Sequence, residues 1–240
     1  MISMIDVLAF GAHPDDIELG AGGTLVKQVR NGSKVGMVDL TEGEMGTRGS
    51  VSVRREEAKK AADIIGAEFR INLKMDDAFI SMDKKSILSI VRVIRKYKPK
   101  IVLCNAIKDR HPDHAIAAKL VSKACFTSGL AKVETVDNSV KQLPFRPLAV
   151  YHYIQDKWID PDFVMDISPE YTDKIKAVKA FKSQFYNPSN KEPQTPISSK
   201  EFLDSLTAKA VLFGRSINTH YGEGFTVERP IGVNNLFNIT

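Results

Sequence analysis

The sequence predicts an α/β fold with a doubly wound, mostly parallel sheet flanked by helices. Two observations support this fold class. Short apolar runs rich in β-branched residues recur along the chain, and stretches with helical spacing separate them. Repeated alternation of strand and helix is typical of doubly wound sheets, which carry their functional residues in the loops at the carboxyl ends of the strands.

Three strands are the clearest predictions, because each is a short apolar run of the kind that is buried on both faces of a parallel sheet. They are Ile5–Phe10, Val35–Leu40 and Ile101–Asn105. Phe69–Leu73 and Leu148–Ile154 are weaker strand candidates. Between these runs, the residues show helical spacing at 24–31, 53–66, 84–97 and 115–128.

The C-terminal part, from about residue 160, is expected to complete the fold and the pocket. Asp160–Ser168 is either a connection or a strand, and Glu170–Gln184 is predicted as a helix. A polar loop rich in proline and asparagine follows at 187–196, and a final helix is predicted over Ser198–Gly214. The tail from Phe225 onward has too many glycines and asparagines to predict an element.

Length and composition predict one globular domain over residues 1–240, with 43% hydrophobic and 26% charged residues. The net charge of +5 comes without a basic stripe interleaved with aromatic residues, so a nucleic-acid partner is not favoured. Cys104 and Cys125 form no disulfide framework or C-x-x-C motif. With neither a signal-like N-terminus nor a membrane-length apolar run, we expect a cytoplasmic protein without a membrane partner.

Two loops carry the residues that indicate chemistry. The first strand runs into Gly11-Ala12-His13-Pro14-Asp15-Asp16-Ile17-Glu18, and the fourth is followed by Asp109-Arg110-His111-Pro112-Asp113-His114. Three of the five histidines lie in these loops. In a common doubly wound order the first and fourth strands are neighbours at the point where the order reverses, so both loops would face one crevice.

Two imidazoles and a carboxylate, without thiolates, suit a catalytic zinc site with three protein ligands and an open position for water. His13 and Asp16 can converge on one ion across a turn that Pro14 stiffens, which leaves Asp15 free as a base. Other divalent ions also accept such ligands. Taken alone, the first loop is better explained as a turn with helix-capping aspartates, and the second His/Asp cluster is what favours a metal.

The two loops resemble the paired motifs of zinc-dependent N-acetylglucosamine deacetylases related to PIG-L and LmbE. The resemblance covers nearly the whole chain and includes Thr41-Glu42-Gly43-Glu44, Gly46-Thr47-Arg48-Gly49, Arg54 with Glu57, Ala61-Ala62, Arg146-Pro147 and Glu223-Gly224-Phe225. The Asp-Arg-His-Pro-Asp-His motif, the Gly-Thr-Arg-Gly element and the Tyr-Gly-Glu-Gly-Phe tail are similar in particular to the bacillithiol-biosynthesis branch. That branch deacetylates N-acetylglucosaminyl malate.

The resemblance implies a role for each matching residue in the two loops. His13, Asp16 and His114 would bind zinc, with Asp15 as the general base. His111 would lie near the oxyanion or the leaving amine as an acid or electrostatic stabiliser, and Asp113 would hold its orientation.

Three further residues are candidates for substrate binding. Arg54 and Arg146 match family positions near the sugar pocket, and guanidinium groups are well suited to a malate carboxylate. Glu42 either orders the loop after the second strand or contacts the sugar. Asp109 stands where the mycothiol branch of the family has a tyrosine, which argues against mycothiol precursors as the substrate.

The resemblance therefore predicts a metal-dependent hydrolase that removes the N-acetyl group of N-acetylglucosaminyl malate. Its partner would be a small amino-sugar glycoside, and the family suggests a homo-oligomer such as a hexamer. Two alternatives stay open. One is a deacetylase of another N-acetylglucosamine-containing small molecule or a bacillithiol-conjugate amidase, and the other is a non-enzymatic metal- or glycan-binding protein. Gly20-Ala21-Gly22-Gly23 does not match G-x-G-x-x-G, so dinucleotide binding is rejected.

Overall fold

A computed structural model describes residues 4–238. Its strands are β1 (Val7–Gly11), β2 (Val35–Thr41), β3 (Phe69–Met75), β4 (Ile101–Cys104), β5 (Val136–Asp137), β6 (Val140–Lys141), β7 (Ala149–Tyr153), β8 (Phe163–Asp166) and β9 (Gly222–Val227). Its helices are α1 (Asp16–Arg30), α2 (Val51–Ile65), α3 (Lys84–Tyr97), α4 (Pro112–Ser128), α5 (Tyr171–Lys179) and α6 (Lys200–Ser216). Across residues 4–238, no helix combines the length and the apolar character needed to cross a bilayer.

The central sheet has seven strands in the order β3-β2-β1-β4-β7-β9-β8. The first five strands of this order are parallel, and β9 is antiparallel to both of its neighbours. The predicted fold class is confirmed, and β1 and β4 are neighbours as predicted, with Val7 paired to Ile101. The carboxyl ends of β1, β4 and β7 therefore meet at one edge of the sheet.

Helices cover both faces of the sheet. On one face, α3 and α4 bury apolar side chains such as Ile90 and Val121 against Phe10 of β1. On the other face, α1, α2 and α5 bury Leu25, Ala61 and other apolar residues. Because side chains alternate along a strand, the apolar residues of β1 contribute to both cores.

Side-chain caps explain why two helices begin close to where they were predicted. The hydroxyl of Ser50 accepts a hydrogen bond from the backbone of Val53 in α2 at 3.3 Å, and Asp83 accepts one from Ser86 in α3 at 2.7 Å. Serine and aspartate are favoured at these positions because they satisfy backbone donors that the helix leaves unpaired.

Helix α1 begins at Asp16 rather than near residue 24 as predicted. The prediction was wrong because Gly20, Gly22 and Gly23 lower helix propensity. In the folded chain these glycines allow close packing, since a β-carbon on Gly20 would collide with the ring of Tyr153, and one on Gly23 would lie 2.7 Å from Ile167 Cδ1.

The C-terminal part differs most from the prediction. Helix α5 ends at Lys179 rather than Gln184, Asp160–Ser168 contains β8, and the tail contributes β9. Strand β9 contains glycines that lower strand propensity. They are accommodated because α6 packs directly on the strand, where a β-carbon on Gly224 would lie 2.8 Å from Phe213 Cζ.

A buried ion pair joins β9, α5 and α1. The carboxylate of Glu223 accepts hydrogen bonds from the backbone of Gly23 at 3.0 Å and Thr24 at 2.7 Å, and it pairs with Lys174 at 2.6 Å. The side chains of Lys174 and Glu223 are only 3% and 2% exposed. Removing Lys174 would leave the Glu223 carboxylate buried without a countercharge, with only the two backbone N–H groups to stabilise it.

We expect Lys174→Met to lower the free energy of unfolding by roughly 3–5 kcal/mol, because the Glu223 carboxylate would stay buried without its cationic partner. Urea unfolding followed by circular dichroism measures this change. Lys176→Met on the same helix is the matched control, since Lys176 is 61% exposed and its pair with Asp173 is worth about 0–1 kcal/mol. Equal losses in the two variants would contradict the role of the buried pair.

Candidate metal centre

A cavity of about 350 Å³ opens at the carboxyl ends of the central strands. Residues from both predicted loops line it: His13, Asp15, Asp16, His111 and His114. Although far apart in sequence, Asp16 and His114 meet there, with His114 Nε2 3.1 Å from Asp16 Oδ1. The adjacency of β1 and β4 causes this meeting, because each loop follows one of these strands.

Asp15 sits in a strained turn at the start of α1. Its φ angle is 125°, and a non-glycine residue held in such a sparsely populated region costs roughly 1–3 kcal/mol. Arg54 of α2 holds the turn, because its Nη2 donates to Pro14 O and to Asp15 Oδ2, each at 2.9 Å. Both side chains are buried, so the position of the Asp15 carboxylate is fixed.

The carboxylate of Asp16 lies between two imidazoles. Its Oδ2 is 3.5 Å from His13 Nδ1, and its Oδ1 is 3.1 Å from His114 Nε2. The side-chain amides of Asn105 and Gln155 donate to the same two oxygens, each at 2.9 Å. Asp16 is therefore held by two side-chain amides and also faces both imidazoles.

The second nitrogen of each of these imidazoles faces a carboxylate. His114 Nδ1 is 2.5 Å from Asp109 Oδ2, and His13 Nε2 is 3.0 Å from Asp77 Oδ1 and 3.3 Å from Asp113 Oδ2. Metal-binding histidines commonly donate their other N–H to a carboxylate, which fixes the tautomer and the ring orientation. In this arrangement His13 Nδ1 and His114 Nε2 are left with lone pairs, and both face Asp16.

His111 caps helix α4 and completes a group of three histidines. Its Nδ1 accepts a hydrogen bond from the backbone of Asp113 at 3.3 Å, so neutral His111 carries its proton on Nε2. Its ring centroid lies 4.7 Å from that of His13 and 5.1 Å from that of His114. Asp113 was expected to orient His111 through its carboxylate. Instead it does so through its backbone, because the carboxylate pairs with His13.

The donor set fits a divalent metal ion. A lone pair on His114 Nε2 would repel an Asp16 oxygen 3.1 Å away unless a proton or a cation lay between them. Zinc bonds of roughly 2.0–2.1 Å at tetrahedral angles put neighbouring ligand atoms about 3.3 Å apart, and each oxygen of Asp16 has one imidazole nitrogen at a comparable separation, Oδ1 at 3.1 Å from His114 and Oδ2 at 3.5 Å from His13. Ligand atoms of His13, His111 and His114 also lie within 4.8 Å of one another, as do those of His13, Asp77 and Asp113.

Burial and neighbouring charges shift several pKa values in the cluster. Burial raises the pKa of Asp15 to about 7, although the Arg54 guanidinium opposes this shift. Burial disfavours the charged form of His114, yet the Asp16 and Asp109 carboxylates outweigh it and raise the pKa of His114 to about 9. Burial and the nearby His13 and His114 lower the pKa of His111, which favours its neutral form.

Of the three candidates for substrate binding, the structure brings only Arg54 to the cavity. Glu42 pairs with Arg55 at 2.7 Å and lines a separate depression over α2 and β3. Arg146 lies over the ring of Phe126, 4.4 Å from its centroid, and donates to Phe126 O at 3.0 Å. Phe126 is near the C-terminal end of α4, whereas the histidines are at its N-terminal end, so Arg146 lies away from the metal centre.

Sequence reasoning missed three residues of the site and misjudged a fourth. Asp77, Asn105 and Gln155 were not assigned to it, and Asp109 was treated only as a departure from one branch of the family. Asp77, Asn105 and Gln155 follow within two residues of the ends of β3, β4 and β7. A search for polar residues just after each parallel strand would have found them.

A mostly parallel sheet that gathers imidazoles and carboxylates able to hold a metal ion at the carboxyl ends of its strands is typical of α/β enzymes of the metal-dependent class. Residues 8–125 match the family described as PIG-L: GlcNAc-PI de-N-acetylase. The chain belongs to this family of de-N-acetylases, so the predicted family is confirmed.

Two relatives described as deacetylases support this assignment, and a solved structure is similar to the chain in fold. The chain is 35% identical to diacetylchitobiose deacetylase of Thermococcus kodakarensis over 75% of its own length and 70% of the relative's. It is 30% identical to the uncharacterized deacetylase YaiS of Escherichia coli over 74% of its own length and 90% of the relative's. The conserved protein TT1542 from Thermus thermophilus superimposes with a TM-score of 0.86 and 30% identity, covering 97% of this chain and 99% of that one.

Proposed function

We propose that the protein hydrolyses the acetamide of an N-acetylglucosamine-containing small molecule, and that this substrate is N-acetylglucosaminyl malate of bacillithiol biosynthesis. The single observation that carries the proposal is the meeting of His13, Asp16 and His114 in one cavity with the Arg54-held carboxylate of Asp15. Amide hydrolysis needs an activated water and a proton acceptor, and this cavity places candidates for both side by side.

His13, Asp16 and His114 would hold the metal ion. When bound, a zinc ion would lower the pKa of water from 15.7 to about 7 and polarise the acetamide carbonyl. Asp16 would provide the charged ligand, and the carboxylates of Asp109 and Asp113 would fix the tautomers of the two histidines.

Asp15 would act as the general base. Its carboxylate would take a proton from the attacking water as the water oxygen bonds to the acetamide carbon. Arg54 would keep the carboxylate from rotating away, because it already donates to Asp15 Oδ2 and to the neighbouring backbone. The C–N bond then breaks, acetate forms, and the amine leaves with the proton returned from Asp15.

His111 would stabilise the oxyanion. The backbone hydrogen bond to its Nδ1 leaves the proton on Nε2, and a neutral imidazole with this tautomer can donate to a developing negative charge. The half-buried ring shares the cavity with Asp15, so His111 would act as a hydrogen-bond donor while Asp15 carries the proton.

Cationic side chains in the cavity support an anionic group on the substrate. Arg110 and Lys209 line the cavity in addition to Arg54, together with the carboxylates of Asp15, Asp16, Asp77 and Asp156. All three cations already have partners: Arg54 pairs with Asp15, Arg110 pairs with Asp156, and Lys209 donates to the backbone oxygens of Gln155 and Asp156. The malate carboxylates would therefore share Arg110 and Lys209 with these partners. Cationic side chains at these positions would favour malate over a neutral second sugar.

Acetate release from purified protein tests the proposal. Zinc-loaded protein is expected to release acetate from N-acetylglucosaminyl malate faster than from N-acetylglucosamine or N,N′-diacetylchitobiose. Chelation should reduce the rate to background, and added zinc should restore it. Because the ion activates the water, no protein residue can replace it.

Each alternative gives a different result in the same assay. Faster turnover of diacetylchitobiose would contradict the malate assignment while keeping the deacetylase, and turnover restricted to bacillithiol conjugates would favour the amidase. A metal-loaded protein that binds the glycoside but releases no acetate would contradict hydrolysis and favour a binding protein.

A further inference from the structure

Two buried side-chain amides hold the carboxylate that would bind the metal ion. Asn105 Nδ2 donates to Asp16 Oδ2 and Gln155 Nε2 donates to Asp16 Oδ1, each at 2.9 Å. The backbone N–H of His13 also donates to Asp16 Oδ2, at 2.9 Å. Each oxygen of Asp16 therefore receives at least one hydrogen bond from a group other than the two imidazoles.

The two amides are fixed by each other and by the backbone. Asn105 Nδ2 also donates to Gln155 Oε1 at 2.8 Å, and Asn105 Oδ1 accepts from the backbone of Ala12 at 2.9 Å. Asn105 is 0% exposed and Gln155 is 6% exposed. Reversing either amide would place oxygen against oxygen, so the network determines both orientations.

The strand order brings these groups together. Asp16, Asn105 and Gln155 follow β1, β4 and β7, which are consecutive in the sheet. The segment after β7 is braced by Lys209 of α6, whose Nζ donates to the backbone oxygens of Gln155 and Asp156. The backbone that carries the Gln155 side chain is thus tied to α6.

We propose that Asn105 and Gln155 are positioning residues, which set metal affinity by holding Asp16 in the orientation that binds the ion. Their donors contact both oxygens of Asp16, and the imidazoles of His13 and His114, which would share the ion with Asp16, face the same two oxygens. Because the two amides are neutral, they add no second negative charge that would attract the cation away from Asp16. The inference rests on the proposed function, since it takes Asp16 as a metal ligand.

Gln155→Met tests the inference, because methionine fills a similar space but cannot donate a hydrogen bond. Gln184→Met is the matched control. Gln184 is also 6% exposed and lines the same cavity, but its Nε2 donates to Arg48 O and Ser183 Oγ instead of Asp16. The two variants lose comparable packing and hydrogen bonds, and only Gln155→Met loses the contact with Asp16.

Zinc affinity is measured by competition with a chelator, after circular dichroism has established that each variant is folded. We expect zinc binding to be weakened about 10–100-fold in Gln155→Met, the usual effect of losing a group that orients a metal ligand. Gln184→Met should bind zinc like the wild type. Cobalt(II) provides a second readout, because its visible absorption depends on ligand geometry and should change only in Gln155→Met.

Equal zinc affinities in Gln155→Met and the wild type, or equal losses in the two variants, would overturn the inference. Loss of the fold in Gln155→Met alone would also overturn it, since Gln155 would then serve folding rather than the metal. A wild-type protein that binds no zinc would instead contradict the proposed function, so the two failures are distinguishable.

Discussion

Asp15→Asn is expected to lower kcat for acetate release by about 10²–10⁴-fold, which is the usual contribution of a general base. The carboxamide has nearly the shape of the carboxylate and can still accept a hydrogen bond from Arg54, but it cannot take a proton from water. Zinc affinity should change far less than turnover, because the proposed ligands are His13, Asp16 and His114. Steady-state acetate release and chelator competition measure the two effects separately.

Asp6→Asn is the control for this substitution. Asp6 immediately precedes β1, pairs with Lys100 at 2.8 Å, and lies at the opposite end of that strand from the cavity. The control should retain wild-type turnover. An Asp15→Asn variant with full turnover would contradict the base assignment, and one that had lost zinc together with activity would place Asp15 among the ligands.

The sequence alone was enough to predict the centre of the sheet. Strands β1 and β4 are continuous apolar runs, and β2 is one apart from Asp39, because these strands are buried on both faces; short β-branched runs of this kind are typical of a parallel sheet. By contrast, the first half of α1 and all of β9 contain glycines that pack against large side chains. Local propensity disfavours these elements, and tertiary packing overrides it.

The candidate site was predictable where it consists of titratable residues in strand-end loops. The roles of Asn105 and Gln155 were not, because they depend on which strands become neighbours, and uncharged amides give little signal in a sequence. Asp113 shows a different limit. Its position two residues after His111 suggested that its carboxylate would pair with the His111 ring. In the folded chain the carboxylate lies against His13 instead.

His114→Ala is expected to abolish zinc binding at concentrations that saturate the wild type, and acetate release with it. The substitution removes one of three proposed ligands and leaves Asp16 Oδ1 without its imidazole neighbour. The loss of affinity should exceed the roughly 100-fold that follows from losing a supporting residue. Chelator competition on folded protein measures it, and His220→Ala, in an exposed turn after α6, is the control.

Asp109→Asn also tests the assignment of His114 as a metal ligand, because Asp109 contacts the ring nitrogen of His114 that does not face Asp16. Asp109 Oδ2 is 2.5 Å from His114 Nδ1, so losing its charge should weaken zinc binding about 10–100-fold without abolishing it. The critical result is that His114→Ala should lose more zinc affinity than Asp109→Asn. A supporting carboxylate can orient His114 and raise its basicity, but it cannot replace the nitrogen that binds the ion. A variant of Asp109 that lost as much affinity as His114→Ala would therefore place Asp109 itself at the metal.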